Sequence, residues 1–246
     1  KDHLMRYVRL YFGGYDLSGD SRTFGSAEYD RAPINMTGWS DAAENYLADR
    51  PMVRITGYQA LMNDASGRAF TLLKSTDQQA YVSMLFGGSG EPVVGDPAFI
   101  LSSLQNSHAI TNDGGAMVIS ANFEQRATNF NAYLWNPWGY VIHHAVSLGS
   151  TTTTASVDLL GAAGTFANGA QANLHITASD GGTWVFTIED SSNDSAWAEY
   201  IRFTADGSTV TSERQTESTT LDRYVRFIAT RISGTVTPVC TFAPMQ

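Results

Sequence analysis

The sequence predicts a mainly β protein built from two successive halves. Three observations carry that expectation. Charged residues are scarce, 16% of 246 positions, and Gly, Ser, Thr, Asn and Gln take the places that a helical bundle would give to Glu, Lys and Ala. Segment after segment alternates apolar and polar side chains with the period of two that a half-buried strand requires. Turn sequences such as Gly13-Gly14, the stretch Asn63 to Gly67, and Asp180-Gly181-Gly182 separate those segments. A chain of this length buries roughly 70–75% of its unfolded surface and needs no cross-links.

The first alternating segment is Met5 to Phe12, with Arg6, Val8, Leu10 and Phe12 on one side and Tyr7, Arg9 and Tyr11 on the other. Gly13-Gly14 ends it, and a turn-rich Gly14-Tyr15-Asp16-Leu17-Ser18 follows. Pro51 opens a second strand, Met52 to Met62. A helix is predicted over Ser75 to Gly88, because Thr76 and Gln79 fit a capping box and Gly87-Gly88 supplies a stop. The segment from Asp96 to Gln105 reads equally as helix or strand from its own residues. Met117 to Phe123 alternates as a strand, and Ala132 to Val146 reads as a strand broken at Pro137.

Composition shifts near residue 149, in the uncharged stretch "SLGSTTTTAS", and Lys is absent beyond it. Two domains are expected, 1–149 and 150–246. In the second, Leu174, Ile176 and Ala178 alternate with His175, Thr177 and Ser179, and Trp184, Phe186 and Ile188 follow after Asp180-Gly181-Gly182, the pattern of a hairpin. Strands are expected at Trp197 to Thr204, Thr209 to Gln215, Tyr224 to Arg231 and Val236 to Phe242, an antiparallel sandwich of immunoglobulin-like or jelly-roll-like form. The tetrapeptide Arg6-Tyr7-Val8-Arg9 returns as Arg223-Tyr224-Val225-Arg226, but the flanks do not align, so shared strand chemistry explains it better than duplication.

Net charge is −9, with Lys only at positions 1 and 74, which argues against gripping nucleic acid. No apolar run approaches the ~20 residues that cross a bilayer, and no membrane partner is expected. The sole cysteine, Cys240, reads as a small core residue. No cofactor, metal or catalytic residue is expected. His143 and His144 point to opposite faces of a strand and cannot share a metal. Asp190, Asn193 and Asp194 are oxygen ligands of the kind calcium takes, and equally the residues that turn chains. No nucleophile elbow, phosphate loop or converging carboxylates are legible, so an enzyme is not expected. Trp184 falls on a core face, and Trp197 reads the same way. Trp39 and Tyr46 flank a polar, loop-like stretch, where aromatic residues mark a protein contact.

The order and spacing of these words resemble the major tail tube proteins of long flexible-tailed bacteriophages. The matching residues are Gly14-Tyr15-Asp16-Leu17-Ser18, the loop Asp41-Ala42-Ala43-Glu44-Asn45-Tyr46, and Ile55-Thr56-Gly57-Tyr58 on the following strand. In the second half, "NGAQANLHITA" and "RYVRFIATRISGTVTPVCTFA" resemble the outer sandwich that many such proteins carry. The resemblance implies a tube domain of two packed sheets, a sandwich or barrel with one flanking helix, and it favours a strand over Asp96 to Gln105. It further implies a structural virion protein of the tail, assembled in the host cytoplasm. Six copies would close a ring, rings would stack, and DNA would pass through the lumen without specific binding. Partners would be further copies and other tail proteins, with weak contact of the outer sandwich to the host surface. For ring-on-ring contact it offers the loop carrying Trp39, Asp41, Glu44, Tyr46, Leu47 and Arg50. The alternative is a virion-associated carbohydrate- or receptor-binding sandwich.

Overall fold

The computed structural model describes residues 5–31, 33–38, 43–48, 52–76, 79–126, 136–159 and 165–245. The fold is mainly β, as expected. After a 3-10 turn at Met5–Tyr7 come β1 (Val8–Phe12), β2 (Tyr15–Asp16), β3 (Ser21–Thr23), β4 (Ser26–Asp30), β5 (Pro33–Asn35), β6 (Tyr46–Ala48) and β7 (Met52–Leu61). A short helix, α1 (Ala69–Leu73), precedes β8 (Gln79–Phe86), β9 (Pro97–Asp113), β10 (Ala116–Gln125) and β11 (Trp138–His143). The second half adds β12 (Thr152–Thr153), β13 (Val157–Asp158), β14 (Thr165–Phe166), β15 (Ala170–Ser179) and β16 (Trp184–Ser191). It ends with β17 (Ala198–Arg202), β18 (Thr211–Glu217), β19 (Leu221–Asp222), β20 (Tyr224–Arg231) and β21 (Val236–Pro244). Among the described residues no helix is long and apolar enough to cross a membrane.

Twelve strands share one antiparallel sheet, whose main path runs β18-β15-β21-β11-β9-β10-β7-β3, with β8 on the other side of β9 and β1 beyond it. A second sheet, β12-β20-β16-β17, covers β15 and β21. Between them lies an apolar cluster that includes Leu174, Ile176, Cys240 and Phe242 from one side and Trp184, Phe186, Ile188 and Phe227 from the other. Its aromatic rings stack in series, Trp184 on Phe186 at 6.4 Å and Phe186 on Phe227 at 6.0 Å. A separate cluster in the first half joins Leu10, Phe12, Ile55, Tyr58, Phe99 and Phe123, with Leu73 of α1 closing it.

The large sheet folds back on itself, so that β1 and β8 pack on the outer face of β15 and β21. Tyr11, Leu85, Ala98, Val141 and Val239 form a small apolar cluster there. The rest of that contact is polar and fully buried. Asn173 Nδ2 donates to the Val82 carbonyl at 3.0 Å, His175 Nε2 is hydrogen-bonded to Ser83 Oγ at 2.9 Å, and Ser83 Oγ is bonded to Thr241 Oγ1 at 2.9 Å. Gln171 Oε1, Asn173 Oδ1 and His175 Nδ1, successive side chains on this face of β15, have no protein partner among the described residues. Burial pushes His175 down to about 3, since the charged imidazolium finds no compensating carboxylate there.

Several expectations are corrected. The helix predicted over Ser75 to Gly88 is strand β8, and the flanking helix is the five-residue α1 upstream. The capping-box spacing misled, because β8 is buried from Val82 to Leu85 without alternation, as a strand covered on both faces is. What starts α1 is Asp20, whose carboxylate accepts from the Ala69 N–H at 3.2 Å and from Asn63 Nδ2 at 2.9 Å. Asp96 to Gln105 falls largely in β9, a strand, as the resemblance favoured. The expected hairpin across Asp180-Gly182 does not form: β15 pairs with β18 and β21, while β16 pairs with β17 and β20. That turn carries the chain from one layer of the sandwich to the other. Met5 to Phe12 is strand only from Val8, and Leu10, Tyr11 and Phe12 are all buried, so its two faces do not divide into wet and dry. Cys240 is a buried core residue in a strand, as read.

Gly14, in the turn between β1 and β2, has φ near 91°. A Cβ there would come within 2.5 Å of the Thr211 carbonyl oxygen at the start of β18. Only glycine allows both that backbone conformation and that approach.

Candidate functional site

The residues proposed for ring-on-ring contact fall on a hairpin. β5 and β6 pair through Pro33↔Ala48, Ile34↔Leu47 and Asn35↔Tyr46, forming a two-stranded sheet of their own. The sequence suggested a loop; strand pairing over three residues and side-chain turns fix it instead. Thr37 Oγ1 accepts from the Asn45 N–H at 2.8 Å, and the Asn35 side chain accepts from the Thr37 N–H at 2.8 Å. Trp39, Asp41 and Arg50 lie outside the described residues. Glu44 and Tyr46 are exposed neighbours, and the Tyr46 hydroxyl donates to the Glu44 carboxylate at 2.6 Å, which raises the phenol pKa. Leu47 contributes its main-chain pairing with Ile34. Ile34, Met36 and Tyr46 are 41%, 57% and 52% exposed, so the hairpin presents apolar surface beside a carboxylate.

A second surface escaped the sequence reading. β9 is 17 residues long, but β8 pairs with it only as far as Leu104, whereas β10 pairs with it out to Asp113. From Asn106 onward β9 is exposed apart from the half-buried Ser107, and this free edge, with the turn and the first residues of β10, forms an arm; β10 itself pairs with β7 from Val118 on and is buried at Val118, Ile119, Ala121 and Phe123. Ile110 and Met117 are exposed on it, joined by Leu61 and Met62 at the adjoining end of β7. Among the described residues nothing pairs with the free side of β9 beyond Leu104. At the opposite limit of the same sheet, β3 and β4 pair, among the described residues, only with β7. The arm is Gly114-Gly115 flanked by strand residues, and its length was the missed signal: alternation stops where both faces meet water.

A cleft of about 310 Å3 is lined by Val8, Leu10, Phe24 and Met84, by Ser18, Ser21 and Thr23, and by Arg6, Arg9 and Arg22. Arg9 makes a forked pair with Glu91, which raises its pKa. Arg22 meets Asp113, at the tip of the arm, at 2.8 Å. Arg6 lies 4.6 Å from the Tyr7 ring centroid and has no carboxylate partner among the described residues.

The other candidates have structural partners. His143 Nδ1 donates to the Pro238 carbonyl at 2.9 Å, while His144 Nε2 is hydrogen-bonded to the Tyr11 hydroxyl at 2.9 Å, so the two rings diverge as strand geometry requires. Burial lowers the pKa of both. Asn193 Oδ1 accepts from the Ser195 and Ala196 N–H groups and the Ser195 hydroxyl, and Asp190 accepts from the Asp222 N–H at 2.9 Å, so these oxygens organise the turn. Among the described residues no group of three or more His, Cys, Asp or Glu is placed to hold a metal. Trp184 is 1% exposed, a core residue as read. Trp197 differs: it is half-buried, with the Arg226 guanidinium 4.2 Å from its ring centroid.

Neither a protein-family model nor a curated protein matches the sequence. Among solved structures, the chain is similar to the SPP1 Dit (gp 19.1) protein, titled a paradigm of the hub adsorption apparatus in phages infecting Gram-positive bacteria. The identity is 12% and the TM-score 0.34, over 96% of this chain and 99% of that one. It is also similar to a chain of infectious bursal disease virus, Gx strain, with 9% identity and a TM-score of 0.28, over 96% of this chain and 65% of that one. Likenesses at these scores carry no assignment of fold or role.

Proposed function

We propose that this chain is a structural subunit of a bacteriophage tail, a tail tube protein whose copies close into rings, six to a ring, that stack around a channel for DNA. The observation that carries the reading is the pair of open limits on the large sheet: the free side of β9 beyond Leu104 and, across β10 and β7, the outer side of β3 and β4. A free strand edge is an aggregation hazard in a monomer, and two of them on one sheet suit a head-to-tail ring in which each copy's edge pairs with the next. The sequence words shared with tail tube proteins support the same assignment. A net charge of −9 suits a wall along which phosphates must move without sticking.

Against the carbohydrate-binding reading, Trp184 is buried and Arg226 lies over the Trp197 ring, whereas Trp138 and Tyr46 are exposed. Electron microscopy of the concentrated, purified chain tests the proposal. Stacked rings of about six copies are expected, and a strictly monomeric protein with measurable glycan affinity would overturn it.

A further inference from the structure

The chain carries both partners of a heterologous contact, and we propose that the β5–β6 hairpin of one copy docks in the Arg6 cleft of a second copy. This rests on the tail tube reading for what the contact builds, namely stacking, and on the residues themselves for the contact. The cleft is lined by apolar side chains, Val8, Leu10, Phe24 and Met84 among them, by the hydroxyls of Ser18, Ser21 and Thr23, and by three arginines with no carboxylate in the lining. Two of the arginines already have carboxylate partners, Arg9 with Glu91 and Arg22 with Asp113; Arg6 has none among the described residues and is exposed. At about 310 Å3 the cleft lies at the small end of the roughly 300–1,000 Å3 range of ligand pockets, a size suited to one or two side chains rather than an extended ligand.

The hairpin offers the complement. Glu44 is exposed and bonded only to its neighbour Tyr46, and Tyr46 and Met36 are each more than half exposed. The stretch 41–49 contains Asp41, Glu44 and Asp49 and no Lys or Arg, so it is anionic throughout. β5 and β6 belong to neither large sheet, and their exposed side chains are open to a partner. Seating Tyr46 against the apolar side chains of the cleft brings Glu44 toward the Arg6 guanidinium, a charge-assisted pair whose fork geometry selects a carboxylate. Because cleft and hairpin are different surfaces, each docked copy leaves one of each free, and the contact repeats without closing.

Mixed full-length Arg6→Cys and Glu44→Cys chains, oxidised with copper phenanthroline, test the contact. Cys240 is fully buried and stays silent. A disulfide-linked dimer at least tenfold more abundant in the mixture than in either variant alone is expected, and a mixture no richer than the single variants overturns the proposal. In parallel, Arg6→Glu and Glu44→Arg should each raise the concentration for half-assembly at least tenfold by sedimentation velocity, with the double variant restoring it. A double variant no better than the singles also overturns it. Micrographs of the unmodified chain separate the two readings: rings without the mixed dimer sink the hairpin contact alone, and the mixed dimer without rings sinks the tail tube reading alone.

Discussion

The sandwich of the second half and the β9–β10 arm put the same strand chemistry to opposite uses. In the sandwich, β16 and β20 are covered by β15 and β21, and the interior holds Trp184, Phe186 and Phe227 at 0–1% exposure. In the arm, β9 runs on to Asp113 past its last pairing with β8 at Leu104, and Ile110, with Met117 at the start of β10, lies in water. The first is complete within one copy. The second has main-chain groups and apolar side chains with nothing among the described residues to meet them. On the tail tube reading, substitutions in the sandwich should act on stability and those in the arm on assembly, so the two should separate.

The largest effect is expected at Trp184→Ala. It removes the first ring of the Trp184-Phe186-Phe227 series and should lower unfolding free energy by about 3–5 kcal/mol in urea denaturation. A loss under about 1 kcal/mol would mean that the sandwich interior is not where the stability lies.

Next comes His175. Its folded pKa, about 3, lies below the ordinary value of about 6.5, so the unfolded chain takes up the proton first. Stability from the neutral ring is complete above about pH 6.5 and declines as pH falls from there toward 3. By the lower end the contribution lost is on the order of 4 kcal/mol. His175→Gln should flatten the pH dependence of stability across that window relative to the unmodified chain. Parallel curves for the two proteins would show that the imidazole stays neutral in neither state or both.

The smallest change in stability is expected in the arm. Ile110→Lys with Met117→Lys alters exposed positions and should shift unfolding by no more than about 0.5 kcal/mol each. The same pair should abolish ring formation in electron micrographs. Rings of normal appearance in the double variant would remove the arm from the assembly.

How far the sequence foretold this structure depends on how many faces each strand buries. β7 and β20 were legible, because Val53 and Ile55, or Val225, Phe227 and Ala229, alternate with wetter neighbours. β8 was read as a helix because its central residues are buried on both faces, which erases the period of two. β15 was read as alternating, with His175, Thr177 and Ser179 as its polar row, yet His175 and, further up the same row, Asn173 lie against β8. No local pattern distinguishes a polar row facing water from one facing a buried serine. The contact residues were legible in part: Glu44 and Tyr46 are exposed side by side, but the cleft is assembled from residues between Arg6 and Met84 and has no signature in any one segment.

The position of β21 sets a schedule for making this protein. It lies between β15 and β11, and so joins the sandwich to the sheet of the first half, yet it comes far later in the sequence than β11. On a ribosome, β11 must wait for about a hundred further residues before its neighbour emerges, a delay that slows closure and leaves an edge open meanwhile. A nascent chain halted before Val236 would hold two partly built layers with no strand between them. Joining the halves thus waits on β21, long after β11 has left the ribosome.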